Sequence, residues 1–270
     1  MQQTTARFSA VGIESPEADA EILVAHFLGI SRGELSAQVF LNPPVPNFAA
    51  FEELVLRRLR REPLQHITAV AHFRHLELKV GPGVFIPRPE TESVVQIALD
   101  YLKPVVVPRV LDIGTGSGAI AISIATESQA QVTAIEKSAK AAQYARENIA
   151  SNSAQVDLLV GDFREHDLGF EVFDLVISNP PYIPDSAIPR DPEVRDFDPE
   201  LALYGGADGL DLIRDIIELA ELLLVSGGKL VLEHADGQSD AVCQLLLANW
   251  KEVRAHSDST GRLRSVSATK

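Results

Sequence analysis

Among 270 residues there is a single cysteine, Cys243. One thiol excludes an intrachain disulfide and a thiolate metal cluster. A chain without a disulfide framework is expected in a reducing cytoplasm. Long apolar runs are also missing: none approaches membrane-spanning length. The stretch Met1 to Arg7 has no apolar core of the kind a secretory signal carries. No membrane association is therefore expected. Basic charge is scarce, with 24 Lys and Arg against 38 Asp and Glu and a formal net charge of −14. That balance argues against nonspecific binding to a nucleic-acid backbone and is compatible with a basic protein partner. Internal repeats, low-complexity tracts and long linkers are absent as well. The hydrophobic fraction, 46%, is ordinary for a globular chain, and the length suits one large domain or one domain with an appendage.

The most informative stretch is Asn179-Pro180-Pro181-Tyr182, which follows the apolar run Phe173 to Ser178. That run reads as a buried strand. Two successive prolines cannot donate ladder hydrogen bonds, so the strand stops there with a stiff backbone at its carboxyl end. Open α/β sheets bind ligands at such ends. The Asn179 side-chain carbonyl and the Pro180 backbone carbonyl can accept both hydrogens of a planar –NH2 group, and Tyr182 offers a ring face to stack on it. This combination suits an enzyme acting on an amide or an exocyclic amine. A proline-rich turn ending a strand is the plainer reading of the four residues by themselves.

A second motif lies upstream. Val110 to Ile113 reads as a strand running into Gly114-Thr115-Gly116-Ser117-Gly118, and Ala119 to Ala125 continues as a helix. Glycines let the backbone approach a ligand closely, and the helix start offers free N–H groups. Glu136 ends the next apolar run about 20 residues on, where an acid can accept from ribose hydroxyls. The set points to an adenosine-type cofactor without saying which, because Gly114, Gly116 and Ala119 also fit a dinucleotide fingerprint. After a third strand, Val156 to Val160, come Asp162 and Phe163. They could bracket an adenine, or be a surface acid and a core ring.

The chain divides near residues 60 to 88. Residues 1–66 are helical in character: Ser15-Pro16-Glu17 has cap, first-turn proline and acid in order, and Phe48 to Arg61 reads as an amphipathic helix closed by Pro63. Its run Arg57-Arg58-Leu59-Arg60-Arg61 is expected on a solvated face. Residues 67–87 read as a β-hairpin connector, with Phe73 to Val80 as one strand, Gly81-Pro82-Gly83 as the turn and Val84 to Ile86 returning. Pro87-Arg88-Pro89-Glu90-Thr91-Glu92 follows, and Thr91 can cap the next helix. Residues 88–270 alternate strand and helix, which implies a parallel sheet with right-handed crossovers. Lys229 to Glu233 is its fifth strand. Trp250 to Ala255 and Leu263 to Ala268 are two more around a turn at Gly261.

Together, the glycine loop Asp112 to Gly118 and Asn179 to Tyr182 resemble the seven-stranded S-adenosylmethionine methyltransferases that modify planar nitrogens. Phe85 to Glu92 and Pro199 to Leu210 narrow the resemblance to the bacterial release factor glutamine methyltransferases, and it covers nearly the whole chain in order. Three positions depart: Ala69 and Ala235 stand where that family usually has glycine, and Asp198 where it usually has glutamate. The resemblance implies a Rossmann-like class I methyltransferase domain with a small N-terminal helical domain joined by a β-hairpin. It implies S-adenosylmethionine as cofactor, held by Gly114, Thr115, Gly116, Ser117, Gly118, Glu136, Asp162, Phe163 and Asn179. Asn179, Pro180, Pro181 and Tyr182 would hold the substrate, with Asn179, Pro180 and Tyr182 carrying the catalysis. The implied partner is a class I peptide chain release factor, methylated on the glutamine of its Gly-Gly-Gln loop.

The chemistry is consistent with that implication. A carboxamide nitrogen is a poor nucleophile, and two acceptors holding its hydrogens favour the build-up of charge on nitrogen. No residue stands out as a general base. Three other functions are weighed. A nucleic-acid adenine methyltransferase would want a basic recognition surface. An NAD-dependent dehydrogenase leaves Asn179 to Tyr182 unexplained. A catalytically silent binding module would need only the pocket.

Overall fold

The computed structural model describes residues 1–39 and 47–270. The chain forms two compact units: residues 1–70 with 189–197, and residues 71–188 with 198–270.

In the first unit, helices span Gln2–Ala10, Pro16–Leu28, Arg32–Val39, Phe48–Leu59 and Leu64–Thr68. They share a core that includes Phe8, Leu23, Phe51, Val55 and Ile67. Ser15 and Pro16 stand at the cap and first positions of the second helix, although the Ser15 side chain makes no capping bond. A short helix, Pro192–Phe197, belongs to the same unit although it lies far along the chain. Through Glu193 it draws part of the arginine run inward, although Arg60 stays exposed as expected. Arg58 is 6% exposed. It donates from Nε to Asp19 at 2.7 Å and from Nη1 to Glu193 at 2.7 Å. Arg61 donates to the other Glu193 oxygen at 2.6 Å, and Arg57 forks onto Glu62. Burial alone pushes the Glu193 carboxyl up, but hydrogen bonds from Asp191, Arg61 and Arg58 more than reverse this and hold it well below the usual carboxylate range.

The second unit begins with a hairpin, but not the one expected. Strands β1 (Val70–Phe73) and β2 (Leu76–Lys79) pair around Arg74 and His75. Arg74 takes a φ of 51°, and its N–H donates to the Glu92 carboxylate at 2.9 Å. The expected return strand, Val84 to Ile86, is not a strand. Val84 and Ile86 are buried with Ala71, Val80 and Ala141, so their alternation records packing instead of pairing.

The main sheet contains β3 (Arg109–Ile113), β4 (Gln131–Glu136), β5 (Val156–Val160), β6 (Phe173–Ser178), β7 (Leu224–Glu233), β8 (Lys251–Ser257) and β9 (Leu263–Thr269). Their spatial order is β5-β4-β3-β6-β7-β9-β8. Every neighbouring pair is parallel except those made by β9. Alternate residues of each strand feed two cores. Val110, Leu175, Ile177 and Val231 pack toward one face, Leu111, Ile113, Val176 and Leu230 toward the other. Both faces are buried, so the strands read as near-continuous apolar runs. Strand order reverses between β3 and β6, and there the Ser178 hydroxyl donates to the Ile113 carbonyl at 2.6 Å. Among the described residues no helix is long and apolar enough to cross a membrane.

The two departures at glycine positions behave differently. Ala69 takes a φ of 59°, a left-handed conformation costly for a residue with a Cβ. Ala69→Gly is therefore expected to stabilise the protein by about 0.5–1 kcal/mol, the relief of strain less the added freedom of the unfolded chain. A denaturant midpoint that falls in this variant would contradict it. Ala235 is not among the positive-φ residues, and its N–H donates to Gln238 at 2.9 Å, so alanine fits there without strain.

Candidate functional site

The site assembles at the carboxyl ends of β3 and β6. Ile113 pairs with Ser178, so Gly114 and Asn179 leave adjacent strands at the same level. After Ile113 the N–H groups of Gly114 and Thr115 both donate to the Ile135 carbonyl, at 2.9 and 3.0 Å. Gly114, Gly116 and Gly118 take φ values of 74°, 57° and 88°. A Cβ built on Gly114 or Gly116 would meet nothing within 4 Å, whereas one on Gly118 would come 2.9 Å from Ile122. The first two glycines thus line open space, and the third lets the loop pack on its helix.

Two buried acids anchor this loop. Asp112 is fully buried and accepts from the Thr115 hydroxyl at 2.6 Å, while its Oδ1 has no hydrogen-bond partner among the described residues. Burial pushes its carboxyl up to about 7, against the Thr115 and Ala121 hydrogen bonds and with help from Glu136. Glu136 accepts from the Gly116 N–H at 2.8 Å through Oε2 and from the Ser138 N–H at 2.7 Å through Oε1. Burial raises its carboxyl, and the backbone hydrogen bonds oppose this. A carboxylate has about four acceptor positions, so Glu136 retains capacity for a ligand hydroxyl.

Asp162 and Phe163 follow β5. Asp162 caps a short turn by accepting from the Arg164 N–H at 3.1 Å, and it also pairs with Lys137 at 3.0 Å. Burial raises its carboxyl, but these partners outweigh that and leave it lowered. Phe163 is buried in the core with Ile113 and Ile135, and the Arg164 guanidinium lies 4.7 Å from its ring centre. Ser117 is buried, and its carbonyl accepts from Asn148 at 2.8 Å.

At the end of β6, Pro180 is buried and Asn179 half-buried. Asn179 Nδ2 donates to the Thr91 hydroxyl oxygen at 3.2 Å, which leaves its Oδ1 as an acceptor. Thr91 is the first residue of its helix, after the N-cap Glu90, so it does not stand at the capping position expected of it. Tyr182 lies 3.5 Å from Glu233 through its hydroxyl. Burial first, and the Glu233 charge next, push that phenol well above its ordinary value. The tetrapeptide backbone is held from behind. Gln238 donates to the Tyr182 carbonyl at 3.0 Å, and Ile183 bridges the chain beside Tyr204. A Cβ on Gly205 would lie 2.5 Å from the Pro181 carbonyl, so only glycine allows this approach. Arg88 donates to Asp198 at 2.6 Å, tying the segment after the hairpin to the segment before Pro199.

Thr91, Glu233 and Gln238 are members of the site that sequence reasoning did not find. Glu233 had a detectable signal, an acid closing an apolar strand whose Leu232 pairs with Ser178.

Residues 1–68 match the family model described as the PrmC N-terminal domain, and residues 75–191 match that of the methyltransferase small domain. A release factor glutamine methyltransferase from Mycolicibacterium smegmatis is 45% identical over 280 residues, covering 100% of this chain and 96% of that protein. Its counterpart from Streptomyces coelicolor is 46% identical over 276 residues, covering 99% and 96%. The one from Deinococcus radiodurans is 40% identical, again covering 99% and 96%. Among solved structures, a Pyrococcus furiosus methyltransferase superposes with a TM-score of 0.54 at 22% identity, over 72% of this chain and 89% of that one. A T. thermophilus 16S rRNA N2 G1207 methyltransferase, solved with AdoMet and guanosine, gives 0.54 at 18% identity over 74% and 49%. At those identities the structural likeness concerns the fold.

Proposed function

The chain belongs to the release factor glutamine methyltransferase family, and from that premise we propose that it transfers the methyl group of S-adenosylmethionine to the glutamine side-chain nitrogen of the Gly-Gly-Gln loop in class I release factors. The observation that carries this reading is the orientation of Asn179. Its Nδ2 donates to Thr91 at 3.2 Å, which leaves Oδ1 to accept, and the Pro180 carbonyl follows it in the chain. Two fixed acceptors suit the two hydrogens of a carboxamide –NH2.

The residues present fit the proposed cofactor. The space before Gly114 and Gly116 admits a ligand against the backbone, and the spare capacity of Glu136 provides an acceptor. S-adenosylmethionine, when bound, supplies an electrophilic methyl group. Gly114 to Gly118 would hold it against the loop, Glu136 would take ribose hydroxyls, and Asp162 and Phe163 would flank the adenine. Asn179 and Pro180 hold the amide hydrogens and stabilise charge developing on nitrogen. Tyr182 stacks on the amide plane. The rate enhancement on this reading comes from positioning and preorganised polarity. No group among the described residues stands out as a general base, and the amide is more acidic once methylated, so water takes the proton late.

Glu136→Ala is expected to weaken S-adenosylmethionine binding by about 1.5–3 kcal/mol, the worth of hydrogen bonds to a charged group. Titration calorimetry showing unchanged affinity would contradict the role given to Glu136. The substrate assignment is tested with a labelled methyl donor offered alongside a release factor, the same factor with its loop glutamine changed to alanine, and adenine-containing DNA. Label on the unaltered factor alone is the expected result. Label on the alanine variant, or on DNA only, would contradict it. The N-terminal unit, on this reading, docks the release factor, since one glutamine side chain offers far less than the roughly 800 Å² per partner of a standard interface. Translation termination places the enzyme in the cytoplasm.

A further inference from the structure

The stretch from Asn179 to Tyr182 lies in a closed circuit of contacts, and an ion pair that the proposed chemistry leaves without a task closes it. Beyond Tyr182, the Ile183 N–H donates to the Leu203 carbonyl at 2.8 Å, and the Gly205 N–H donates to the Ile183 carbonyl at 2.9 Å. Leu203 follows a short helical turn, Glu200–Ala202, in which the Ala202 N–H donates to the Pro199 carbonyl at 2.8 Å. Before Pro199 stands Asp198, whose side chain is 0% exposed and accepts from Arg88 Nη2 at 2.6 Å. The Arg88 guanidinium also lies 4.9 Å from the Phe85 ring centre. The Thr91 N–H donates to the Arg88 carbonyl at 3.1 Å, and the Thr91 hydroxyl oxygen accepts from Asn179 at 3.2 Å. The circuit therefore starts and ends at the amide clamp.

We propose that Arg88 and Asp198 are positioning residues whose ion pair closes the frame that holds Asn179 and Pro180 in place for methyl transfer. This role rests on the amide-clamp reading above. Three noncovalent ties complete the frame: Ile183 to Leu203, Asp198 to Arg88, and Thr91 to Asn179. The middle tie is the one made by two charged side chains, and the backbone beside it is stiff. Arg88 stands between Pro87 and Pro89, and Asp198 precedes Pro199. Proline fixes its own φ and restricts the residue before it. A shift at the ion pair is therefore passed along the chain toward Thr91 and Leu203, with little slack to absorb it. A charge-assisted hydrogen bond is short and geometrically demanding. Burial of the Asp198 carboxylate makes separation from its partner costly, so the pair defines one arrangement of the two segments. Displacement of a reacting group by about 1 Å can cost on the order of a hundredfold in rate. Loosening the frame should thus be felt in the chemical step before it is felt in binding.

The test measures turnover per cofactor-binding site in the full-length enzyme with a release factor as acceptor. Calorimetric stoichiometry for S-adenosylmethionine counts the sites, so unfolded molecules do not enter the rate. Arg88→Met is expected to lower kcat roughly tenfold or more, with KM for the release factor and S-adenosylmethionine affinity close to wild type. Lysine keeps the charge and one hydrogen bond but lacks the planar group that stacks on a ring, so Arg88→Lys should lose less than Arg88→Met. Asp198→Asn keeps the volume, removes the charge and should also lower kcat. The Arg88→Met, Asp198→Asn double variant should be no slower than the slower single one, because both open the same tie. Wild-type kcat per site in Arg88→Met, a loss confined to KM or cofactor affinity, or losses that multiply in the double variant would overturn the proposal. If Arg88→Met does not fold, the milder variants decide: Arg88→Lys and Asp198→Asn both at wild-type kcat would overturn it. Wild-type enzyme that methylates no release factor would instead remove the underlying clamp reading, whatever the variants do.

Discussion

Asn179→Ala is expected to lower the rate of methyl transfer at saturating substrate by about a hundredfold or more, the effect of deleting one preorganised polar group aimed at developing charge. The affinity for S-adenosylmethionine should change much less, because the Gly114 to Gly118 loop and Glu136 stand on β3 and β4 and are held by the Ile135 carbonyl and the Gly116 N–H. Pro180 keeps its carbonyl in the variant, so a residual rate should persist. On the stacking role proposed for the ring, Tyr182→Phe should be milder than Tyr182→Ala, since phenylalanine keeps the ring and loses only the hydroxyl that lies 3.5 Å from Glu233. Single-turnover measurements separate the chemical step from binding. An Asn179→Ala enzyme with near-normal turnover would mean that another group holds the amide nitrogen.

Arg58→Met is expected to destabilise the N-terminal unit by about 3–5 kcal/mol, the cost of removing one partner from a buried ion pair. Arg58 spans two carboxylates, Asp19 and Glu193, whose side chains are 14% and 13% exposed. Without the guanidinium these acids keep their burial and lose much of their compensation, with Arg61 still serving Glu193. The loss should appear as faster hydrogen exchange in residues 2–39, 47–68 and 189–197, with the β3 to β7 sheet still protected. On the docking role proposed for this unit, KM for the release factor should rise while S-adenosylmethionine affinity stays constant. Uniform loss of protection across both units, or none in either, would contradict this division of stability.

Legibility in the sequence followed the distance over which each feature is determined. The main sheet was readable because its strands carry local signals: apolar runs ending in Gly114, Glu136, Gly161 and Asn179, where the chain must turn. The last two strands flanked Gly261 as expected. The hairpin misled because Val84 and Ile86 alternate like a strand but are buried by Ala71 and Ala141. The arginine run misled for a different reason. Charge clusters usually face water, and the acceptor that buries Arg58 lies 135 residues away in Glu193. The same limit applies within the site. Asn179 and the glycine loop announce themselves by composition, whereas Thr91 resembles an ordinary cap until its hydroxyl is seen to accept from Asn179, 88 residues on.

The central claim is that the acceptor atom is a glutamine side-chain nitrogen held by Asn179 and Pro180. The most direct measurement is tandem mass spectrometry of a release factor after incubation with the enzyme and S-adenosylmethionine. The account predicts a single added methyl group on the side-chain amide of the Gly-Gly-Gln glutamine, present with wild-type enzyme and nearly lost with Asn179→Ala. A methyl group on any other residue, or one that Asn179→Ala installs as efficiently as wild type, would contradict it.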